Sequence, residues 1–273
     1  MKELGELRSS LTEIDNQILE LFARRMALVD QAAAYKIETG SPVRVPVREG
    51  VVMARARSAM PAGLEQYGAS LFRTMLRLSR ERQYERVVEG DDTWQLGQEL
   101  NEARQRKNVW EVLAVVRGEA EKICQKILPK ARLVPAEDAA SACGRVQSGA
   151  ADAAVLPHCQ ALRLAAGQNL FIQACLAADS PFAVVGRELT ITPGASQVSL
   201  GFEPGLETEA LSLLVDVFAD LDLRLTELHN GDTCFVEFTA APGQPTALRA
   251  LYQLEQEISR LRLLGWYPVL QLD

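Results

Sequence analysis

The side chains best able to hold a small anion are gathered in the first third of the 273-residue chain: Arg8, Arg25, Lys36, Arg48, Glu49, Ser79 and Gln83. Arg25 is the most telling. Leu4, Leu7, Leu11, Ile14, Ile18, Leu21 and Leu28 recur at steps of three and four, as one face of a helix does, and the position continuing that rhythm between Leu21 and Leu28 is a guanidinium. Lys36 follows 11 residues later. It returns to within about 20° of the same face, about 16 Å along the axis, so two long cationic side chains can touch one small dianion. Arg8 lies 17 residues before Arg25, about 25 Å of helix, and can meet the same ligand only from an antiparallel partner helix. Ser79 and Gln83, four apart in "LSRERQYE", share a helix face. "VRVPVREG" puts Arg48 and Glu49 near the start of another helix.

A single helical arginine is ordinarily solvated, or paired with a neighbour such as Glu20 or Asp30. Two cations and a Ser/Gln pair on or beside apolar stripes are a different matter. Buried unpaired charge costs on the order of several kcal/mol unless an anion compensates, and a bound dicarboxylate is the natural compensator.

Composition excludes other chemistries. The only histidines, His158 and His229, lie outside this segment and form no cluster with metal-ligand spacing, which argues against a metal site and a His-based triad. Five cysteines (Cys124, Cys143, Cys159, Cys175, Cys234) contain no C-x-x-C pair and read as reduced core thiols of a cytoplasmic protein. A net charge of −7 argues against a nucleic-acid partner, although arginines crowd into residues 1–86. No membrane-spanning run and no signal peptide are expected, because the sequence enters an amphipathic helix at once.

The elements that must position these groups follow from periodicity and breakers. Helices are predicted over residues 4–38, 47–60 and 64–88, separated by Gly40-Ser41-Pro42 and by Pro61 with Gly63. A helix of more than thirty residues cannot bury its stripe within so small a domain and is expected to pack against a second copy. Residues 89–107 are polar, a linker or connecting helix. From "WEVLAVV" to "PFAVVG", strands and helices alternate, an α/β layer. Residues 196–273 read β-α-β-β-α-β, the split ferredoxin-like arrangement, ending in a strand "WYPVLQL".

"LRSSLTEIDNQILELFARRMALVDQAAAYK", "PVRVPVREG" and "LSRERQ" resemble the all-helical AroQ-type chorismate mutases, specifically the mutase domain of bacterial P-proteins (chorismate mutase–prephenate dehydratase), across residues 1–88. The resemblance implies an all-α, intertwined helical homodimer with two shared active sites and chorismate as substrate. It implies that Arg25 and the partner's Arg8 grip the two carboxylates, and that Lys36 and Gln83 donate to the ether oxygen. Arg48 and Glu49 would attend the ring hydroxyl, and Ser79 would assist carboxylate binding. Where the family often has an acidic residue this chain has Val45, which is expected to weaken hydroxyl binding without abolishing it. The rearrangement of chorismate to prephenate is unimolecular and pericyclic, and no cofactor is expected. It needs the diaxial conformer held and donors aimed at the oxygen that gains charge as the C–O bond breaks. The same cations on the same fold would serve a lyase that splits pyruvate from isochorismate.

The remainder resembles the rest of a P-protein, with losses. "SGAADAAVLPH" matches the dehydratase segment that continues through Pro into Ile-Glu-Asn-Ser, but here the run is "HCQA". "SPFAVVGRE" aligns with the catalytic Thr-Arg-Phe stretch, with Ser180 in place of the threonine and Pro181 in place of the arginine. Only 22 residues separate Pro157 from Ser180, where the family places a second lobe. This implies a truncated α/β remnant lobe, dehydratase activity lost, with Ser180 a relic. "DLRLTELHNGDTCFVEF" and "ISRLRLLGWYPVLQ" resemble an ACT domain, the amino-acid-sensing module of these enzymes. Of its effector motifs Gly205 and Glu227 persist, the residues at which the resemblance implies an aromatic amino-acid effector, and His229 reads as a polar surface residue. The expected order is a mutase domain (1–88), a linker (89–107), a dehydratase-like lobe (108–190) and an ACT-like domain (195–273). The competing expectation is a non-catalytic regulatory protein that binds an aromatic amino acid or aids a separate dehydratase.

Overall fold

The computed structural model describes residues 4–203, 209–229, 231 and 233–271, and divides into two compact units, Met1–Asp92 and Thr93–Asp273. The first is helical: α1 (Leu4–Thr39), α2 (Pro46–Ser58) and α3 (Glu65–Gly90), each bound within two residues of its predicted place. Gly40 takes the left-handed conformation (φ +64°), and the Ser41 N–H returns to the Lys36 carbonyl at 3.1 Å, closing α1. Pro46 opens α2, where its missing N–H removes no helical bond.

α1 and α2 both pack along α3. Only the second half of α1 takes part, burying Val29 and Ala33. Leu4, Leu7, Leu11, Ile14, Ile18 and Leu21 stay 46–64% exposed. The stripe that sequence rhythm marks as a buried face is therefore open within one chain: α1 spans 36 residues, about 54 Å, and overhangs its neighbours, and even in its packed half Leu28 stays 64% exposed while Val29 and Ala33 are buried.

The second unit is an α/β region with mixed sheets. In order it contains α4 (Gln95–Ala103), β1 (Val112–Val116), α5 (Glu119–Ile127), β2 (Arg132–Ala136), α6 (Ala139–Gln147), β3 (Ala153–Pro157), α7 (His158–Gln168), β4 (Phe171–Leu176) and β5 (Phe182–Gly186). There follow β6 (Gln197–Phe202), α8 (Glu209–Asp220), β7 (Arg224–His229), β8 (Cys234–Thr239), α9 (Pro245–Glu257), β9 (Arg262–Tyr267) and β10 (Val269–Leu270). One sheet runs β10-β4-β5-β3-β1-β2 and the other β7-β8-β6-β9. In the first, β2, β1 and β3 are parallel, β5 runs antiparallel to both β3 and β4, and β10 is parallel to β4. The second is antiparallel throughout.

Three departures from the sequence reading have simple causes. The polar stretch around residue 100 is amphipathic: α4 buries Leu100 and Ala103 in one core with β6, α8 and α9. "HCQALRLAAGQ" is a helix, α7, whose Ala161, Leu162 and Ala165 are buried. "WYPVLQL" is not one strand. Pro268 breaks it, β9 ends at Tyr267 in the smaller sheet, and β10 crosses to pair with β4, with the Cys175 N–H bonded to the Pro268 carbonyl at 2.9 Å. β9 lies so close to β4 that a Cβ on Gly265 would stand 2.4 Å from the Ile172 carbonyl oxygen. Phe235, Leu264 and Tyr267 of the smaller sheet share a core with α6, α7 and the larger sheet.

Candidate functional site

Within the helical unit the polar residues singled out fall into two groups, one around Arg25 and one around Lys36 and Glu49. Arg25, on the packed half of α1, donates from Nη1 to the Met75 carbonyl at 3.2 Å and to Ser79 Oγ, both on α3. Ser79 Oγ in turn donates to the Met75 carbonyl. One turn on, Gln83 Nε2 donates to the Ser79 carbonyl at 2.9 Å. Ser79 and Gln83 are 4% and 8% exposed, and Gln83 Oε1 is buried with no hydrogen-bond partner among the described residues. The i, i+4 spacing thus places a hydroxyl and an amide beside a half-buried guanidinium. Burial pulls the Arg25 guanidinium below its ordinary pKa, and no carboxylate among the described residues pairs with it. Asp30, the alternative ion-pair partner, is taken by Arg82 at 2.7 and 3.0 Å, with Arg86 at 3.7 Å.

Lys36 lies at the end of α1, where Nζ donates to the Val43 carbonyl at 2.6 Å in the turn between α1 and α2. Burial and then the charge of Arg48 pull its ammonium pKa down, and Glu49 pulls the other way, so Lys36, Arg48 and Glu49 share one neighbourhood. Glu49 is held by Arg80 of α3, whose Nη1 donates to Oε1 at 3.0 Å and Oε2 at 2.9 Å. Sequence reasoning missed Arg80. It follows Ser79 directly but is 31 residues from its partner, and no spacing rule links the two. Arg48 is exposed. Arg8 is also exposed, on the overhanging half of α1, apart from the other cations.

The other candidates lie in the second unit or outside the described residues. Ser180 is exposed at a bend before β5. Glu227 is exposed on β7 and bonded to His229 Nε2 at 2.8 Å. Gly205 lies outside the described residues. Four of the five cysteines are buried and Cys159 is exposed in the first turn of α7, so the expectation of core thiols fails there. Among the described residues no cluster of His, Cys, Asp or Glu fits a metal ion, and no helix is long and apolar enough to cross a membrane.

A second polar cluster went unseen in the sequence. His158 Nε2 meets both carboxylate oxygens of Glu237 at 3.0 Å. Tyr267 Oη donates to Glu237 Oε1 at 2.7 Å, and Ser199 Oγ to the same oxygen. All four side chains are buried. Burial alone would raise the Glu237 carboxyl, but the bonds from His158, Ser199 and Tyr267, with the charge of His158, hold it below the usual carboxylate range. The order of contacts is hydroxyl–carboxylate–imidazole. A nucleophile needs the imidazole next to the hydroxyl, so the cluster is a structural clasp between α7 and the smaller sheet.

The helical unit is therefore of a definite class: a three-helix domain in which α3 holds Arg25 of α1 at Ser79 and Glu49 of α2 at Arg80. Residues 7–84 match the family model described as chorismate mutase type II, so the N-terminal unit carries a domain of that family. The T-protein of Haemophilus influenzae is 34% identical over 85 residues, 31% of this chain and 22% of that protein. The chorismate mutase of Methanocaldococcus jannaschii is 39% identical over 57 residues, 21% of this chain and 58% of that protein. The chain thus spans less than two thirds of either relative. An X-ray structure of prephenate dehydratase from Streptococcus mutans superposes with a TM-score of 0.51 at 17% identity, covering 59% of this chain and 100% of that one. A structure titled "GqqA- a novel type of quorum quenching acylases" gives 0.50 at 20% identity, covering 58% and 95%. Those likenesses describe the fold and do not choose between the activities in the two titles.

Proposed function

We propose that this protein is a chorismate mutase acting as a homodimer. The observation that carries the proposal is Arg25, half-buried on α1 and bonded to Ser79 one turn before Gln83, with no carboxylate among the described residues pairing with it; Lys36 and Glu49, near one another where α1 gives way to α2, supply the further polar groups. Such a site suits a small dianion with a hydroxyl. Arg25, aided by Ser79, would hold one carboxylate. Lys36 and the remaining N–H of Gln83 would stabilise the ether oxygen as charge builds on it, and Arg48 with Glu49 would attend the hydroxyl. Holding the substrate folded supplies the rest of the acceleration. Arg8 would come from the second copy, laid along the exposed α1 stripe, since about 25 Å of helix separates it from Arg25.

Residues 1–88 are then the mutase domain and residues 108–190 a dehydratase-like lobe without dehydratase activity. The short span from Pro157 to Ser180 and the loss of the Glu-Asn-Ser run support that inference. Residues 195–273 are an ACT-like, ferredoxin-like domain: two helices and four antiparallel strands ordered β7-β8-β6-β9 favour it. An aromatic amino-acid effector near Glu227 and a cytoplasmic location complete the proposal. The test is product identification by NMR after incubation with chorismate and, separately, isochorismate. Prephenate from chorismate supports the mutase; pyruvate from isochorismate alone would favour the lyase. Phenylpyruvate formed at neutral pH would refute the loss of dehydratase activity.

A further inference from the structure

Resting on the mutase reading, we propose that Arg80 is a positioning residue. It aims the Glu49 carboxylate at the substrate's hydroxyl and keeps Glu49 from pairing with Lys36. Glu49 is the only acidic residue between 40 and 58, so within α2 and the turn before it hydroxyl recognition falls to one carboxylate. That carboxylate sits between two cations on different helices, Lys36 of α1 and Arg80 of α3, and its direction decides what each can do.

Arg80 wins that competition geometrically. A single Nη1 spans both oxygens at 3.0 and 2.9 Å, with side-chain exposures of 13% and 22%, in a setting where screening by water is much reduced. A carboxylate offers about four lone-pair sites. Arg80 takes one on each oxygen and leaves acceptor capacity for a ligand hydroxyl. Lys36 meanwhile bonds the Val43 carbonyl at 2.6 Å, an arrangement a dianion's ether oxygen can join. Without Arg80, Glu49 would be free to turn toward Lys36, whose ammonium already feels its charge. An ammonium whose N–H is turned onto Glu49 no longer points at the oxygen that gains charge, so both hydroxyl recognition and oxyanion stabilisation suffer.

The experiment is steady-state kinetics of the full chain with chorismate, for wild type, Arg80→Met, Arg80→Lys, Glu49→Gln and the Glu49→Gln/Arg80→Met double variant, with melting temperature as a check on folding. Arg80→Met should raise KM and lower kcat, with kcat/KM falling about tenfold to a hundredfold. Arg80→Lys should recover part of the loss, because a point charge restores attraction but cannot span both oxygens as the planar guanidinium does. In the Glu49→Gln background, Arg80→Met should cost less than about twofold, since its effect runs through Glu49. An unchanged KM in Arg80→Met, with only the melting temperature lowered, would mean that Arg80 merely ties α2 to α3 and would overturn the proposal. So would full additivity in the double variant. If Arg80→Met does not fold, Arg80→Lys decides: a KM raised severalfold supports the proposal and an unchanged KM overturns it. Absence of turnover in the wild type removes the mutase reading and this proposal together, whereas an active wild type with indifferent Arg80 variants overturns this proposal alone.

Discussion

Arg8 and Arg25 occupy the same helix but should serve different ligands, and that separation can be measured by mixing chains. The two residues are 17 positions apart, about 25 Å at helical rise, while a small dicarboxylate is a fraction of that length. If each site takes Arg25 from one chain and Arg8 from the other, an Arg8→Ala homodimer and an Arg25→Ala homodimer have no intact site. A charge-assisted contact contributes about 1.5–3 kcal/mol, so each variant alone should lose at least about tenfold in kcat/KM. A heterodimer of the two has one doubly altered site and one intact site. Random reassociation of equal amounts makes about half the dimers mixed, so about a quarter of wild-type activity should return by two-fold symmetry. The assay is chorismate consumption after co-expression, or after exchange in mild denaturant. Activity that stays at the sum of the two variants, with exchange verified by tagged chains, would refute the shared site. So would an Arg8→Ala variant with wild-type kinetics.

Ile18→Glu places a charge in the centre of the exposed stripe, where Ile18 is 50% exposed. Burying an aliphatic side chain contributes about 1.5–3 kcal/mol, so gel filtration or sedimentation should show the variant shifted toward monomer and its activity lost with the dimer; an unchanged size would place the partner surface elsewhere. Glu237→Gln should lower the melting temperature, because a shape-preserving change removes the charge that His158, Ser199 and Tyr267 bond, at a cost of about 1–3 kcal/mol. Because the Glu237 carboxyl is held below the usual range, its contribution is complete above the unfolded carboxylate pKa and is lost as pH falls through the folded value. Wild type should therefore lose melting temperature more steeply than the variant on acidification below the ordinary glutamate range, and equal slopes would exclude that role. A maleimide should label Cys159 first, since it is exposed while burial pushes the Cys124 thiol to about 12 and those of Cys143 and Cys175 to about 11. Equal labelling rates would contradict the packing of the second unit.

The helical unit was legible because its signals are local. Period, Gly40 and Pro46 set the bounds of α1 and α2, and the i, i+4 rule put Ser79 beside Gln83. What periodicity could not give was which face meets which. The rhythm of Leu4 to Leu21 marks a stripe meant for burial, yet only the tertiary arrangement shows that α3 covers the other end of α1 and leaves that stripe open. Arg80 escaped notice because in "LSRERQYE" it looks like any solvated charge, and its role comes from a contact 31 residues away. The His158–Glu237 clasp spans 79 residues; its residues read singly as a helix-start histidine and a strand glutamate. α7 is hard to see in "HCQALRLAAGQ" because its buried face is made of small residues, Ala161 and Ala165 with Leu162, which give little apolar rhythm. In "WYPVLQL" the proline carried the information: it separates two strands that belong to different sheets.

The most direct test of the account is the rate of chorismate loss, with prephenate quantified, for the full chain and its Lys36→Ala variant. Lys36 is a donor bonded within the site to the Val43 carbonyl and flanked by Arg48 and Glu49, and the mutase mechanism assigns it the oxygen that gains charge. Removing one such donor typically costs about a hundredfold to a thousandfold in kcat. Stoichiometric prephenate from the wild type and a loss of that size in the variant are expected. Chorismate left untouched by the wild type, or an equal rate in the variant, would contradict the mutase reading.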